Sequence, residues 1–319
     1  MARIMFSTFL LAACFLASSG ASLLAAEKFK LGTAIKVFPV YYLLIGAAEE
    51  KGYWKENNLE PEWVPFTGGP PHMQAVAAGA IRIGIEPGVG VITGASRGLP
   101  VVIVAHLQNR SEFPLWVRTD SPIKAPREIK GAKIGVFRLG GLEHGYSRAI
   151  AKALGLEKDV RFVATGGPAE SVAALKTGGV DAVLTTVSTM AVAMVRGEVR
   201  KVLSNEDFLP REWMGHMLYA RKDYIKERPE MVSRVLKSLL KATNFVIDNP
   251  AWAVAKVVKE HGLPEEAAKA LHESFEYNRD GKIERKRLEN VSKFLVEYGI
   301  VPKEKMPAIE EVHTSEFTG

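Results

Sequence analysis

The chain has 319 residues, of which 47% are hydrophobic and 24% are charged, and its formal net charge is +6. The Lys and Arg residues are dispersed, and no run of them is long enough to predict a nucleic-acid-binding arm. The charge therefore supports no more than a mild attraction to anions. Cys14 is the only cysteine, which excludes an internal disulfide and a multi-cysteine metal site.

The N-terminal segment, residues 1–26, differs in character from the rest of the chain. Arg3 is its only charge, and an apolar run and then small residues follow as far as Ala26. This order is typical of a secretory signal peptide, so we expect cleavage after Ala26, with Ala21 as an alternative. Leu11–Cys14 resembles a lipoprotein cleavage site, but the apolar run continues past it, and we expect export without a lipid anchor.

Cleavage at this point would leave residues 27–319 as the mature chain. That chain has 319 − 26 = 293 residues, no cysteine, and a net charge of +6 − 1 = +5 after the loss of Arg3. A chain of this length can bury a large core and divide into about two domains. Because it lacks cysteine, its stability must come from that core, and a thiolate nucleophile is excluded.

The mature chain opens with alternating strand and helix patterns. Phe29–Ile35 predicts a strand, and the following helix starts at Pro39, which suits a first turn, and stops at Gly52, which suits a cap. After a second strand pattern, the continuous apolar run Leu99–His106 predicts a strand covered on both faces. Such alternation indicates βαβ units and a mostly parallel sheet.

The same succession of patterns begins again at Ala132–Phe137, which reads as a new first strand. A phrase that starts Thr-Gly-Gly-Pro occurs once in each half, at Thr67 and at Thr165, 165 − 67 = 98 residues apart. In both halves it follows the predicted second strand and opens the second helix. We interpret it as an internal structural repeat; the alternative is a chance match between two Gly-Pro helix starts.

After Val202 the pattern changes to one strand followed by several helices. The longest predicted helix ends at Asn249-Pro250 and has one apolar face. The residues of that face are Val232, Val235, Leu236, Leu239, Ala242 and Val246. Because this tail completes no third α/β unit, we expect it to pack back on the preceding units.

Several segments in this order and spacing resemble one protein family. They are EEKGYWKENNLEPEWVPFTGG, AAGAIRIGIEPGVGVITGASRGLPVVIVA, SPIKAPREIKGAKIGVF, LKTGGVDAVLTT and RKDYIKERPEMVSRVLKSLLKAT. The chain resembles the periplasmic solute-binding proteins of ABC transporters, of the type that binds sulfonate, nitrate, taurine or thiamine-precursor pyrimidines. The resemblance covers nearly all of the mature chain and is specific for the family, not for a ligand.

The resemblance implies an α/β fold, a two-lobed type II periplasmic binding protein. Each lobe would be a mostly parallel sheet flanked by helices, followed by a helical C-terminal tail, and the lobes would be joined near Phe113–Thr119 and Gly215–Arg221. The implied divisions are a signal peptide (1–26), the first part of lobe I (27–113), lobe II (114–214), and a return strand with C-terminal helices packing mainly on lobe I (215–319).

The resemblance also implies a function. The chain would be the periplasmic solute-binding subunit of an importer, a monomer that captures a small solute between closing lobes and delivers it to an inner-membrane ABC permease. It would be no enzyme, and it would need no cofactor, no metal and no nucleic acid. The open alternative for the solute is a thiamine-precursor pyrimidine, or a related pyrimidine-synthase-like activity, although the Cys-rich motif of those synthases is absent.

The repeated phrase suggests where a solute would bind. In an open parallel sheet, ligands bind beyond the carboxyl ends of the strands, and each phrase follows a strand. Gly-Gly permits close approach of the backbone, and the free N–H groups and dipole of the helix that follows favour negative charge. Two such helix starts, one from each lobe, would grip an anionic or strongly polar solute.

The family places its ligand contacts on these loops, which gives the candidate contacts by position. They are Lys36, Phe38, Tyr41, Gly69, Pro70, His72, Glu86, Pro87, Gly88, Arg138, Gly140, Gly141, His144, Thr185 and Thr186. Basic candidates outnumber the acidic Glu86 and Glu143, which favours an anionic organic solute. Arg138 could hold a carboxylate or sulfonate through two parallel hydrogen bonds.

Two other protein classes have partial sequence support. Gly94–Gly98 matches the G-x-S-x-G motif of hydrolases, but that motif needs a strand before its serine, and here the strand follows Ser96. The seven histidines include no H-E-x-x-H pair. A transcription regulator with a similar effector domain would begin with a DNA-binding helix-turn-helix, where this chain has a signal-like segment.

Overall fold

The computed structural model describes residues 25–34, 39–110, 113–204 and 207–318. Within these ranges the strands are β1 (Glu27–Thr33), β2 (Leu59–Pro65), β3 (Ile83–Pro87), β4 (Val101–His106), β5 (Gln108–Arg110), β6 (Leu115–Arg118), β7 (Lys133–Val136), β8 (Arg161–Ala164), β9 (Ala182–Leu184), β10 (Val199–Leu203), β11 (His216–Arg221) and β12 (Glu276–Tyr277).

The α-helices of the same ranges are α1 (Pro39–Glu50), α2 (Tyr53–Glu56), α3 (Gly69–Ala77), α4 (Gly88–Ser96), α5 (Leu142–Ala153), α6 (Pro168–Lys176), α7 (Val187–Val195), α8 (Lys222–Glu227), α9 (Pro229–Asp248), α10 (Pro250–His261), α11 (Glu265–Glu273), α12 (Arg285–Glu297) and α13 (Ile309–Val312). No helix in the described part of the chain is both long and apolar enough to span a membrane.

The strands form two five-stranded sheets, which define lobe I and lobe II. Lobe I has the order β2-β1-β3-β11-β4, and lobe II has the order β8-β7-β9-β6-β10. In lobe I, β1 runs parallel to β2 and β3, while β11 is antiparallel to both β3 and β4. In lobe II, β7 runs parallel to β8 and β9, while β6 is antiparallel to β9 and β10. Four strands in each sheet therefore point the same way, which confirms the mostly parallel prediction.

The two sheets share one topology, and this supports the interpretation of an internal repeat. The single reversed strand occupies the same position in each order, and in each lobe it is the strand that enters from the other lobe. The first Thr-Gly-Gly-Pro phrase follows β2 and opens α3, and the second follows β8 and opens α6. Gly68 (φ 132°) and Gly166 (φ 108°) hold matching left-handed positions, which explains the glycine at each.

The C-terminal helices close the fold around both lobes. Helix α9 buries all six residues of its predicted apolar face in the core of lobe I, against α1. Helix α10 packs on α1 and α9, whereas α11 packs on both α10 and α7 of lobe II. Helix α12 joins a core that contains residues of both lobes. The tail thus contacts lobe I and lobe II together.

Trp213 links this tail to the segment that returns from lobe II. Its side chain is 1% exposed, and its indole N–H donates to the hydroxyl of Tyr146 at 2.9 Å. Its ring lies edge-on to Phe294 of α12 with 5.2 Å between centroids. Arg287 of the same helix donates to the Trp213 carbonyl at 2.7 Å. The return segment, lobe II and the tail are therefore fixed at one point.

Candidate binding cleft

A cavity of about 310 Å³ lies between the two lobes. Lobe I supplies the loops after β1, β2 and β3 together with α3 and α4, and lobe II supplies the loop after β7 and the start of α5. The walls are largely apolar, and their apolar residues include Ala34, Met73, Val89, Phe113, Phe137, Leu142, Tyr146 and Ile300.

Nine of the predicted contacts line this cavity. They are Tyr41, Gly69, Pro70, Glu86, Pro87, Arg138, Gly140, Gly141 and Thr186. Four others lie outside the lining: His72, Gly88, His144 and Thr185. Lys36 and Phe38 fall outside the described residues. The position of a loop after a strand therefore predicted most of these lining residues, and residue type was the poorer guide.

Glu86 is the acidic centre of the lobe I wall. It is the penultimate residue of β3 and is 2% exposed, and its Oε1 occupies the space beside the starts of two helices. A Cβ at Gly69 of α3 would lie 2.7 Å from this oxygen, and a Cβ at Gly90 of α4 would overlap it. The glycines make room for the carboxylate, and the carboxylate supplies the negative charge that these helix starts favour.

Buried hydrogen bonds hold Glu86 in place. Its Oε2 pairs with Nδ1 of His72 at 2.7 Å, and Nε2 of His72 pairs with the hydroxyl of Tyr219 at 2.7 Å. His72, predicted to contact a ligand, is 0% exposed and does not line the cavity. It lies behind the wall and positions the carboxylate that faces the cleft.

The second copy of the repeated phrase does not line the cavity, whereas both copies were expected to face a ligand there. At Gly167 a Cβ would lie 2.9 Å from Oε2 of Glu170, in the first turn of α6. Glu170 stands 98 residues after His72, at the equivalent place in the repeat. In lobe II the helix start is thus matched by a carboxylate of its own helix.

The lobe II wall is built from the loop after β7 and the first turn of α5. Gly140 has φ 80°, and its N–H donates to Nδ1 of His144 at 2.9 Å, so His144 braces the loop from outside the cavity. Glu143, in the same first turn, lines the cavity. Burial, and then the negative charge of Glu86, raises the pKa of Glu143 to about 7.

Thr185 and Gly88 have structural roles. The carbonyl of Thr185 accepts from the indole N–H of Trp116 at 3.0 Å inside lobe II. Gly88 is buried against Met214 of the return segment. Neither residue reaches the cavity, although the neighbours Thr186 and Pro87 do.

Neutral groups occupy another part of the cavity wall. Tyr41 lies edge-on to His216 with 4.9 Å between ring centroids, and both line the cavity. Burial, and then the charges of Glu86, Tyr219 and Glu143, raises the pKa of Tyr41 well above its usual value. Burial lowers the pKa of His216 to about 3. Both rings are therefore uncharged at neutral pH.

The charges of the described lining residues are arranged by depth. Two carboxyls, Glu86 and Glu143, are buried or partly buried, whereas the two guanidinium groups, Arg97 and Arg138, are exposed. Arg138 donates from Nε to the Thr67 carbonyl at 2.9 Å and from Nη2 to Thr67 Oγ1 at 3.0 Å. Its guanidinium thus bridges the lobes, a role that the sequence did not indicate.

Replacing Arg138 with alanine is expected to favour the open form. The two bonds to Thr67 are exposed, so their loss should shift the closed-to-open equilibrium by about 0.5–1.5 kcal/mol, or about two- to tenfold. Small-angle scattering of the unliganded protein should show a larger radius of gyration for Arg138→Ala. Arg97→Ala, an exposed arginine on the lobe I wall, serves as the control, and equal behaviour of the two variants would contradict the bridging role.

Several lining residues escaped sequence reasoning. Phe137, directly after β7, and Leu142 and Tyr146 of α5 read as ordinary core positions. Ile300 follows α12, far along the chain from the repeated units. For Leu142 and Glu143, the position at a helix start after a first strand was an available signal. Ser96 closes α4 and donates to the Thr93 carbonyl at 2.8 Å, as expected for a serine at a helix end.

Two lobes of identical topology with a cavity between them define the class: this is the periplasmic binding protein fold. The periplasmic aliphatic sulphonate binding protein SsuA from Escherichia coli superposes with a TM-score of 0.71 over 89% of this chain and 91% of that chain, at 21% identity. The NMT1/THI5-like family model matches residues 40–253. The chain belongs to this family.

Sequence relatives carry binding functions in their names. A Brucella abortus protein, provisionally named a binding protein, is 29% identical over 214 residues, which is 65% of this chain and 64% of the relative. The formylaminopyrimidine-binding protein of Halalkalibacterium halodurans is 24% identical over 209 residues, 65% of this chain and 63% of the relative. The matched region thus spans just under two thirds of either relative's length.

Proposed function

We propose that this protein is the extracytoplasmic solute-binding subunit of an ABC importer. The observation that carries the proposal is a cavity of about 310 Å³ whose walls come from both lobes. A solute in that space would touch lobe I and lobe II at once, so its binding would favour the closed form over the open one. The lobes would divide near residues 113 and 214, and a membrane permease would recognise the closed form.

For the solute we propose a small organic molecule with an aromatic or apolar ring and nitrogen-bound hydrogens. The walls are mostly apolar, and the least exposed charges among the described lining residues are carboxyls. Glu86 already lies at the start of α3, one of the two helix starts that were expected to hold an anion. The preference for an anionic solute is therefore revised. The pyrimidine alternative fits these walls better, and a relative named for binding a formylaminopyrimidine supports it.

The test is a thermal-shift screen of the purified mature protein against sulfonates, nitrate, aromatic carboxylates, amidines and aminopyrimidines. A solute at 100 times its Kd should stabilise the protein by roughly 2.7 kcal/mol. Small-angle scattering should then show a smaller radius of gyration with the stabilising solute than without it. An unchanged radius at saturation would argue against closure of two lobes.

Export is the second part of this proposal. Strand β1 begins at Glu27, whose carboxylate pairs with Arg228 and Arg234 of the C-terminal region, and whose N–H donates to the Asn58 carbonyl at 2.9 Å. Cleavage after Ala26 would leave all of these contacts intact. N-terminal sequencing of periplasmic material should give Glu27 or a residue close to it, and a chain that keeps Met1 in the cytoplasm would contradict the proposed localisation.

A further inference from the structure

Two carboxyl groups face the same cavity from opposite lobes. Glu86 comes from the end of β3 in lobe I, and Glu143 comes from the first turn of α5 in lobe II. The charge of Glu86 raises the pKa of Glu143, and the charges of both carboxyls raise the pKa of Tyr41. Closing the cleft with both carboxyls ionised would bring like charges together in a poorly solvated space, which is unfavourable.

No described cation contacts these two carboxyls and balances their charge. His72 binds Glu86 from behind, Tyr41 and His216 are neutral, and the guanidinium of Arg138 donates to Thr67. His144 accepts from the Gly140 N–H. Among the described residues, no positive charge and no set of N–H donors lies between these two carboxyls.

We propose that Glu86 and Glu143 form a proton-linked subsite for a cationic or N–H-rich nitrogen group of the solute, such as an amidinium or a protonated amino-heteroaromatic ring. In the empty closed cleft Glu143 carries a proton at pH values below its pKa of about 7. When the solute's cation enters, that proton leaves to solvent, and both carboxylates accept hydrogen bonds from the bound nitrogen group. This inference rests on the proposed solute-binding function and specifies its chemistry.

The sign of the pH dependence follows from the closed cleft. Burial and the charge of Glu86 raise the pKa of Glu143 to about 7. Below that pH Glu143 is mostly protonated, so a cation must displace a proton and binds more weakly. Above that pH the carboxylate is already ionised, and no proton has to leave. Between about pH 6 and pH 8 the affinity for a cation should rise about tenfold, because the proton-bound fraction falls from about nine tenths to about one tenth.

Benzamidine and benzoate are matched probes, because they share a ring and a planar two-atom head but carry opposite charge. Isothermal titration calorimetry at pH 6 and pH 8 should show benzamidine binding more tightly than benzoate at both. Its affinity should rise about tenfold with pH, with release of close to one proton at pH 6 seen as a buffer-dependent enthalpy. Glu143→Gln should bind benzamidine more weakly at pH 8 and without pH dependence.

Glu170→Gln is the matched control, since Glu170 is a first-turn glutamate of lobe II outside the cavity lining. It should keep the wild-type pH dependence, and circular dichroism should show both variants folded. The subsite is overturned if benzoate binds as well as benzamidine, if wild-type binding of benzamidine is independent of pH, or if millimolar benzamidine does not bind. In each case another solute that stabilises and closes the protein would leave the proposed function standing.

Discussion

Replacing His72 with leucine is expected to lower the free energy of unfolding by about 3–5 kcal/mol, because it leaves a buried carboxyl and a buried hydroxyl without their hydrogen-bond partner. His72 and Glu86 have side chains that are 0% and 3% exposed, and their atoms lie 2.7 Å apart. Leucine fills a similar volume but leaves both Glu86 Oε2 and the Tyr219 hydroxyl without this partner. The loss therefore measures hydrogen bonds to a buried charge.

Urea denaturation followed by circular dichroism gives this free energy. His72→Asn should lose less stability than His72→Leu, because the amide can donate in place of Nδ1. His144→Leu is the control: His144 also sits in a helix's first turns and accepts one backbone hydrogen bond, so its loss should cost only about 1 kcal/mol. If His72→Leu is as stable as the wild type, the arrangement of Glu86, His72 and Tyr219 is not as described.

Replacing Trp213 with alanine is expected to cost about 3–5 kcal/mol of stability, in the range for deletion of a buried tryptophan. The indole is 1% exposed, packs on Tyr146 and Phe294, and donates to the Tyr146 hydroxyl. Because it joins the return segment to lobe II and to α12, the variant should also loosen the tail from lobe II.

Denaturant titration again provides the measurement, with tail loosening read from hydrogen exchange in α12. Trp213→Phe should cost roughly 1–2 kcal/mol, since it keeps most of the packing and loses one hydrogen bond. Trp252→Ala removes a partly exposed tryptophan of α10 and should cost less than Trp213→Ala. Equal losses at both tryptophans would contradict a special role for Trp213.

The order of elements and the position of the cleft were largely predictable from the sequence. Apolar runs and Gly-Pro helix starts depend on residues close together in the chain, and they located β4, α3 and the apolar face of α9. The rule that ligands bind beyond the carboxyl ends of parallel strands then located the cavity loops. These inferences succeed because they need only local pattern and a general property of parallel sheets.

The charge of the site was not predictable, because it depends on which residues meet in space. Glu86 binds His72, 14 positions earlier, and Arg138 binds Thr67, 71 positions earlier. Counting basic and acidic candidates therefore suggested an anion, but it could not show that His72 bonds to Glu86 and that Arg138 bonds to Thr67. The repeat also suggested that the two helix starts would be alike. Glu170 and His72 hold equivalent positions in it, but they give the two helix starts different surroundings.

Hydrogen exchange with mass spectrometry tests the central claim most directly. The solute used is the one that stabilises the protein most in the thermal-shift screen. Saturation should slow exchange in both wall segments together, residues 67–73 of lobe I and residues 140–146 of lobe II, because one solute contacts both. Protection confined to one lobe, or found instead along the surface groove of α9 near Leu236 and Phe245, would contradict binding between the lobes.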